Sequence, residues 1–269
     1  MPPTPGDRVV LVTGASSGIG RALAEEYVRR GARIALLARR KDRIEELARS
    51  LGGRAIAIAG DVTVDGDLER AVEEILRTFG RLDVVVANAG FSVNGEVEGL
   101  SLDDYRRQFE TNVFGMLRTI HATLPAVRAA RGSYALVGSV SGFVSVPGYT
   151  AYSMSKYAVR ALAEGLELEL APHGVSVTHV APGFVDSEIR SVDNRGTYKA
   201  AKADPVPSWM VVPGPKAARE IADAIDARRS EAVITRHGRV FASLGRHAPG
   251  LVYGILRLGR RFIPAIDQS

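Results

Sequence analysis

Val9-Val10-Leu11-Val12-Thr13-Gly14-Ala15-Ser16-Ser17-Gly18-Ile19-Gly20 is the stretch whose reading decides the architecture of this 269-residue chain. Four aliphatic residues in a row, three of them β-branched, read as a strand. A turn of glycine and serine follows, and an Ala/Leu-rich segment beginning near Gly18 reads as a helix. Glycines let the backbone turn tightly and approach a pyrophosphate, while the helix N-terminus offers free N–H groups and a partial positive charge. Gly14, Ser16, Ser17, Gly18, Ile19 and Gly20 are therefore candidate dinucleotide-binding residues. A glycine-rich turn alone means little; the flanking strand and helix give it its meaning.

Outward from this turn, short aliphatic runs alternate with longer helical stretches. Candidate strands cover residues 8–13, 33–38, 54–59, 82–87, 133–139, 175–181 and 231–235, with helices starting near Gly18, Lys41, Asp65, Leu102, Thr150 and Gly214. That alternation predicts an α/β fold, a parallel sheet covered by helices on both faces. Right-handed crossovers make it one doubly wound, dinucleotide-binding and catalytic domain over residues 8–235. Residues 1–7 read as a flexible tail, 186–213 as a long loop or lid, and 236–269 as a basic C-terminal extension.

Bulk properties exclude several classes. Hydrophobic residues make up 46% and charged residues 24%, as in ordinary globular domains. No apolar run approaches the roughly 20 residues that span a bilayer, and the N-terminus lacks the features of a signal peptide. Cysteine is absent, so there is no disulfide and no thiolate metal site, and the five histidines show no metal-ligand spacing. A cytoplasmic location is expected. The net charge of +5 is carried by the end of the chain: from Ala232 to Ile266 there is no Asp or Glu, while Arg236, Arg239, Arg246, Arg257, Arg260 and Arg261 contribute six positive charges, leaving −1 for the rest. Such a balance gives no reason to expect nucleic acid as a partner.

Two further patterns carry chemistry. At the end of the second strand, where a site selective for NAD places a carboxylate on the adenosine ribose, stand Ala38, Arg39 and Arg40. Guanidinium suits a 2′-phosphate, so NADP, as NADPH, is the expected cofactor, unless these arginines merely begin a solvated helix. Later, Tyr152 and Lys156 lie four residues apart, stacked on one helix face. A unit charge about 4 Å from the phenol, at an effective dielectric of 20, contributes about 4 kcal/mol, or roughly three pKa units. The expectation is a tyrosine titrating nearer neutrality, usable as acid and base.

Taken together, these residues resemble the classical short-chain dehydrogenase/reductase family over roughly residues 8–235. Asp61-Val62 follows the third strand, Asn88-Ala89-Gly90 closes the fourth, Asn112 stands before Val113-Phe114-Gly115, and Ser139, Tyr152 and Lys156 follow in family spacing, then Pro182-Gly183. The resemblance implies a Rossmann-type seven-stranded sheet and hydride transfer between a nicotinamide and a carbonyl or alcohol carbon. It implies that Ser139 bonds the substrate oxygen, Tyr152 moves its proton, Lys156 holds the nicotinamide ribose and lowers the tyrosine pKa, and Asn112 anchors water in a proton relay. Asp61, Val62, Asn88, Ala89, Gly90, Pro182, Gly183, Val185 and Ser187 join the cofactor set, Ser187 standing where the family commonly has threonine. Ser141 is a second hydroxyl near Ser139; the two are expected to face opposite sides of a strand, and only Ser139 has the family spacing. A homodimer or homotetramer is implied as well.

The substrate side is less determined. Leu251, Val252, Ile255, Leu256, Leu258 and Phe262 fall on one arc of a C-terminal helix, opposite Tyr253, Arg257, Arg260 and Arg261. Val240, Phe241 and Leu244 form a shorter apolar side before Pro249. This face either packs on the protein or a second subunit, or meets an anionic membrane surface peripherally. Trp209-Met210-Val211-Val212 either lines an apolar pocket or docks the lid. An NADPH-dependent reductase of a hydrophobic lipid-, steroid- or retinoid-like carbonyl is the expectation, the alternative being a dinucleotide-binding redox sensor without turnover. An enoyl-thioester reductase is disfavoured by the four-residue Tyr–Lys spacing.

Overall fold

The structure, a computed structural model, describes residues 8–198 and 206–259. Its strands are β1 (Val9–Thr13), β2 (Arg33–Ala38), β3 (Ala55–Ala59), β4 (Val84–Ala87), β5 (Ser133–Val137), β6 (Ser176–Pro182) and β7 (Glu231–Ile234). Its helices are α1 (Gly18–Arg29), α2 (Lys41–Ser50), α3 (Asp67–Phe79), α4 (Leu102–Phe109), α5 (Gly115–Ala130), α6 (Thr150–Leu170), α7 (Gly214–Asp226), α8 (Arg236–His247) and α9 (Pro249–Gly259).

All seven strands run parallel in the order β3-β2-β1-β4-β5-β6-β7. Because successive side chains point to opposite faces, the sheet feeds two cores. Val10, Val12, Ile34, Leu36, Val86 and Val137 pack beneath α1, α2 and α7. Leu11, Leu37, Val85, Tyr134, Leu136 and Val177 pack beneath α3, α5 and α6. The aliphatic runs are continuous because both faces are covered. The strand order reverses between β1 and β4, which opens a crevice at their C-terminal ends.

Several boundaries differ from the sequence reading. α3 starts at Asp67, after Gly66 in a left-handed conformation, rather than at Asp65. Where one helix is expected from Leu102, α4 and α5 are joined by a π-helical segment, Glu110–Phe114. β5 ends at Val137, two residues short of Ser139. The extension splits at Pro249 into α8 and α9, as its proline predicts. Gly238, Ala242 and Val252 face inward, whereas Val240, Phe241, Leu251, Ile255 and Leu258 are exposed. The N-terminal tail, part of the lid, and Arg260, Arg261 and Phe262 lie outside the described residues. Among the described residues no helix is long and apolar enough to cross a membrane.

Candidate active site

The crevice at the strand reversal is held in shape by two side chains. Thr13 Oγ1, at the end of β1, accepts hydrogen bonds from the backbone N–H groups of Asn88 (3.0 Å) and Ala89 (3.1 Å). The Asn88 amide in turn donates to the carbonyls of Thr13 (3.0 Å) and Gly14 (3.3 Å). Backbones approach so closely here that a Cβ on Gly14, at φ +67°, would sit 2.9 Å from the Ala89 Cα, and one on Gly20 would sit 2.5 Å from the Gly14 carbonyl oxygen. A side chain at either position would fill the cradle or force it apart. The turn then delivers the N-terminus of α1 to a cavity of about 610 Å³. Free helix N–H groups in a cradle of this kind fit a pyrophosphate.

At the other end of the same cavity stand Ser139, Tyr152 and Lys156. Ser139 does not continue the strand: after Val137 the chain turns into a short 3-10 helix, Val140–Gly142, which Ser139 caps by accepting a hydrogen bond from the Ser141 N–H (3.1 Å). Only Ser139 of the two serines lines the cavity, and neither lies on a strand; even there, residues two apart would share a face, so the expectation of opposite sides does not stand. Lys156, buried on α6, donates from Nζ to the Val137 carbonyl (2.9 Å), and Nζ lies 5.6 Å from the centre of the Tyr152 ring. Burial pushes the Tyr152 phenol up, to about 12, with the Ser139 hydroxyl pulling it back down. This corrects the expected downward shift. Desolvation of the phenolate sets the direction, while the ammonium is itself lowered to about 8 by burial and is directed at Val137 rather than at the phenol oxygen.

Asn112 belongs to the scaffold around the cavity. It sits in the π-helical segment with its amide fully engaged: Oδ1 accepts from the Phe91 N–H (3.1 Å), while Nδ2 donates to the Phe91 carbonyl (3.1 Å) and to Ser155 Oγ (3.1 Å). It lies behind the cavity wall, bracing the segment after β4 against α6, and does not line the cavity. A π-helical turn carries one extra residue, which disturbs the regular helical ladder and is a frequent mark of functional sites. Gly20 likewise shapes the wall without lining it. Gly14, Ser16, Ser17, Gly18, Ile19, Arg39, Arg40, Asp61, Val62, Asn88, Ala89, Gly90, Pro182, Gly183, Val185 and Ser187 all line it.

A model of the family described as short chain dehydrogenase matches residues 8–197. The chain belongs to the short-chain dehydrogenase family. An uncharacterized oxidoreductase of Staphylococcus epidermidis is 33% identical over 206 residues, covering 76% of this chain and 90% of its own. A short-chain dehydrogenase from Streptomyces avermitilis, of known crystal structure, is 31% identical with a TM-score of 0.78, covering 95% of this chain and 98% of its own. A short-chain dehydrogenase/reductase from Burkholderia phymatum, solved in complex with NAD, shares the fold with a TM-score of 0.80 at 23% identity over 91% of this chain and 95% of its own.

For a member of the short-chain dehydrogenase family, the sequence reading left out several residues of the site. Phe91 lines it from the segment after β4, Arg107 from α4, Glu110 and Thr111 from the π-helical segment, and Glu188, Ile189, Arg190 and Val192 from the segment after β6. These positions follow no local pattern; only the packing of distant loops brings them in. Thr13 could have been noticed, since a threonine closing a strand before a glycine turn is placed to bond the neighbouring strand. Trp209, by contrast, is 82% exposed and away from the cavity, while Val212 pairs with Val185 and docks its segment. The tail is joined to the site through His237, which accepts a hydrogen bond at Nε2 from the Phe184 N–H (3.1 Å) and stacks on the Phe184 ring.

Proposed function

We propose that this short-chain dehydrogenase is an NADPH-preferring reductase of an apolar ketone or aldehyde, working through Ser139, Tyr152 and Lys156. The observation that carries the reading is the opening of these three side chains, from two separate elements, into the same cavity as the glycine turn. Bound there, the nicotinamide supplies or accepts a hydride. The protein's part is to hold and move a proton. Ser139 Oγ, next to the phenol, orients the substrate oxygen. With its phenol held at about 12, Tyr152 is fully protonated at neutral pH, which is the form that donates a proton during carbonyl reduction. Lys156 keeps a positive charge beneath the ring and offsets the phenolate that donation leaves behind. In this reading Asn112 holds the wall from which a water relay would run.

Arg39 and Arg40 line the adenosine end of the cavity, with no carboxylate on their own strand end, and this supports NADPH over NADH. Phe91, Ile189 and Val192 supply apolar wall for the substrate. Exposed Phe114, Met154, Tyr157 and Leu168 on neighbouring helical surfaces support a homodimer or homotetramer, and the exposed apolar residues of α8 and α9 support peripheral contact with an anionic membrane. The test is steady-state oxidation of NADPH across a panel of hydrophobic ketones and aldehydes. Turnover is expected in the wild type, with a loss of about 10²- to 10⁴-fold in Tyr152→Phe while NADPH binding persists. Binding without turnover of any carbonyl would instead favour the redox-sensor alternative.

A further inference from the structure

The arginines at the end of β2 already have an anion of the protein's own. Arg40 Nη1 donates to Glu188 Oε2 (2.8 Å) and Arg43 Nη1 donates to Glu188 Oε1 (2.6 Å), so one carboxylate is gripped by two guanidiniums. Glu188 begins the short 3-10 turn Glu188–Ser191, which directly follows Ser187. The remaining donors of Arg40 reach the glycine turn: Nε and Nη2 donate to Ser16 Oγ (3.1 and 2.9 Å), and Nη2 also donates to Ser17 Oγ (2.8 Å). Arg39 donates to the Gly196 carbonyl (3.3 Å), and Arg43 lies 5.7 Å from the Tyr198 ring centre. Arg39 and Arg40, just beyond β2, and Arg43, on α2, therefore fasten residues 188–198 against the cavity. Ile189, Arg190 and Val192 of the same segment line that cavity.

We infer that Glu188 is an internal competitor for the 2′-phosphate of NADPH: phosphate and carboxylate contend for Arg40, so cofactor choice and the seating of residues 188–198 are coupled. This rests on the proposal that Arg39 and Arg40 receive that phosphate. The chemistry of the contest is direct. A doubly charged phosphate with three acceptor oxygens outbids a singly charged carboxylate at a guanidinium, whereas NADH has nothing to place there and leaves the clasp closed. Glu188 therefore sets how strongly the protein discriminates between the two cofactors. Displacement of its carboxylate from Arg40 loosens the segment that forms part of the cavity wall, leaving Arg43 alone to hold Glu188.

The experiment is isothermal titration of adenosine 2′,5′-bisphosphate and of 5′-AMP into wild type, Glu188→Gln and Arg40→Met, neither probe supporting turnover. Glu188→Gln is expected to bind the bisphosphate about tenfold more tightly, with 5′-AMP affinity within twofold of wild type. No change, or an equal gain for both probes, overturns the competition. If wild type prefers the bisphosphate and only Arg40→Met abolishes that preference, the NADPH reading stands and the competition falls. If wild type and Glu188→Gln show no preference at all, the NADPH reading falls with it. Hydrogen exchange in the wild type supplies a check that needs no variant. Amides in residues 188–198 should exchange faster with the bisphosphate than with 5′-AMP, and equal or slower exchange would speak against release of the clasp.

Discussion

Lys156 shows how the burial of a single charged residue works against stability. Lowering its ammonium from 10.5 to about 8 corresponds to roughly 3 kcal/mol of unfavourable burial at neutral pH. The sign follows from proton counting. Below pH 8 both folded and unfolded chains carry the charge and the penalty is complete; between 8 and 10.5 the unfolded chain holds more proton, so stability rises with pH until the penalty is gone. Lys156→Met should therefore be more stable than wild type by about 1–2 kcal/mol at pH 7, part of the gain being offset by the Val137 carbonyl left without its donor, and should lose turnover. Urea unfolding at pH 7 and pH 10 checks this, since the advantage should shrink at the higher pH. Asn112 makes the opposite case. Three hydrogen bonds from a buried amide mean that Asn112→Ala should lose about 2–3 kcal/mol; an unchanged unfolding midpoint would show that the side chain is not a brace.

Two joints between elements are electrostatic. Arg30, at the end of α1, donates to Glu26 (2.8 Å) of its own helix and to Asp223 (2.7 Å) and Asp226 (2.8 Å) of α7. Glu26 is buried and depends on Arg29 and Arg30 to remain charged. Arg30→Ala is expected to lower stability by about 1–2 kcal/mol, seen as a fall in thermal midpoint, because it removes the ion pairs that tie α1 to Asp223 and Asp226 of α7 while Arg29 still holds Glu26. The second joint is between β7 and α8. The His179 imidazole, 3.9 Å away, and the Arg246 guanidinium, at 2.7 Å, hold the Glu231 carboxyl down to about 2 against the opposing effect of burial. A depressed carboxyl contributes stability that is present above its unfolded value near 4.5 and is lost as pH falls toward 2. Glu231→Gln should cost roughly 1–2 kcal/mol at pH 7, discounted for partial exposure, and should flatten the acid limb of stability between pH 4.5 and 2 when unfolding is followed by circular dichroism.

At the scale of the whole molecule, the exposed apolar residues of α9 predict association. Ile255→Glu combined with Leu258→Glu should abolish co-sedimentation with phosphatidylserine-rich vesicles if the tail meets a membrane, and should leave the molar mass from light scattering unchanged. Equal sedimentation of variant and wild type would remove the membrane reading. The sequence by itself determined what depends on near neighbours along the chain. Four aliphatic residues before Thr13-Gly14 make a strand and a turn, Pro249 divides the extension, and Tyr152 shares a helix face with Lys156 through the period of the helix. From these follow the parallel sheet, the crevice at its reversal and the family. Tertiary structure alone decided what depends on burial and on pairs far apart in the chain. Glu188 meets Arg40 across 148 residues, Asn112 is spent on Phe91 and Ser155 behind the cavity wall, and desolvation reverses the direction in which Tyr152 was expected to titrate. Charge, hydrogen bonding and desolvation act through space, so their outcome is settled only when the folded chain fixes which groups share a dry site and which stay in water.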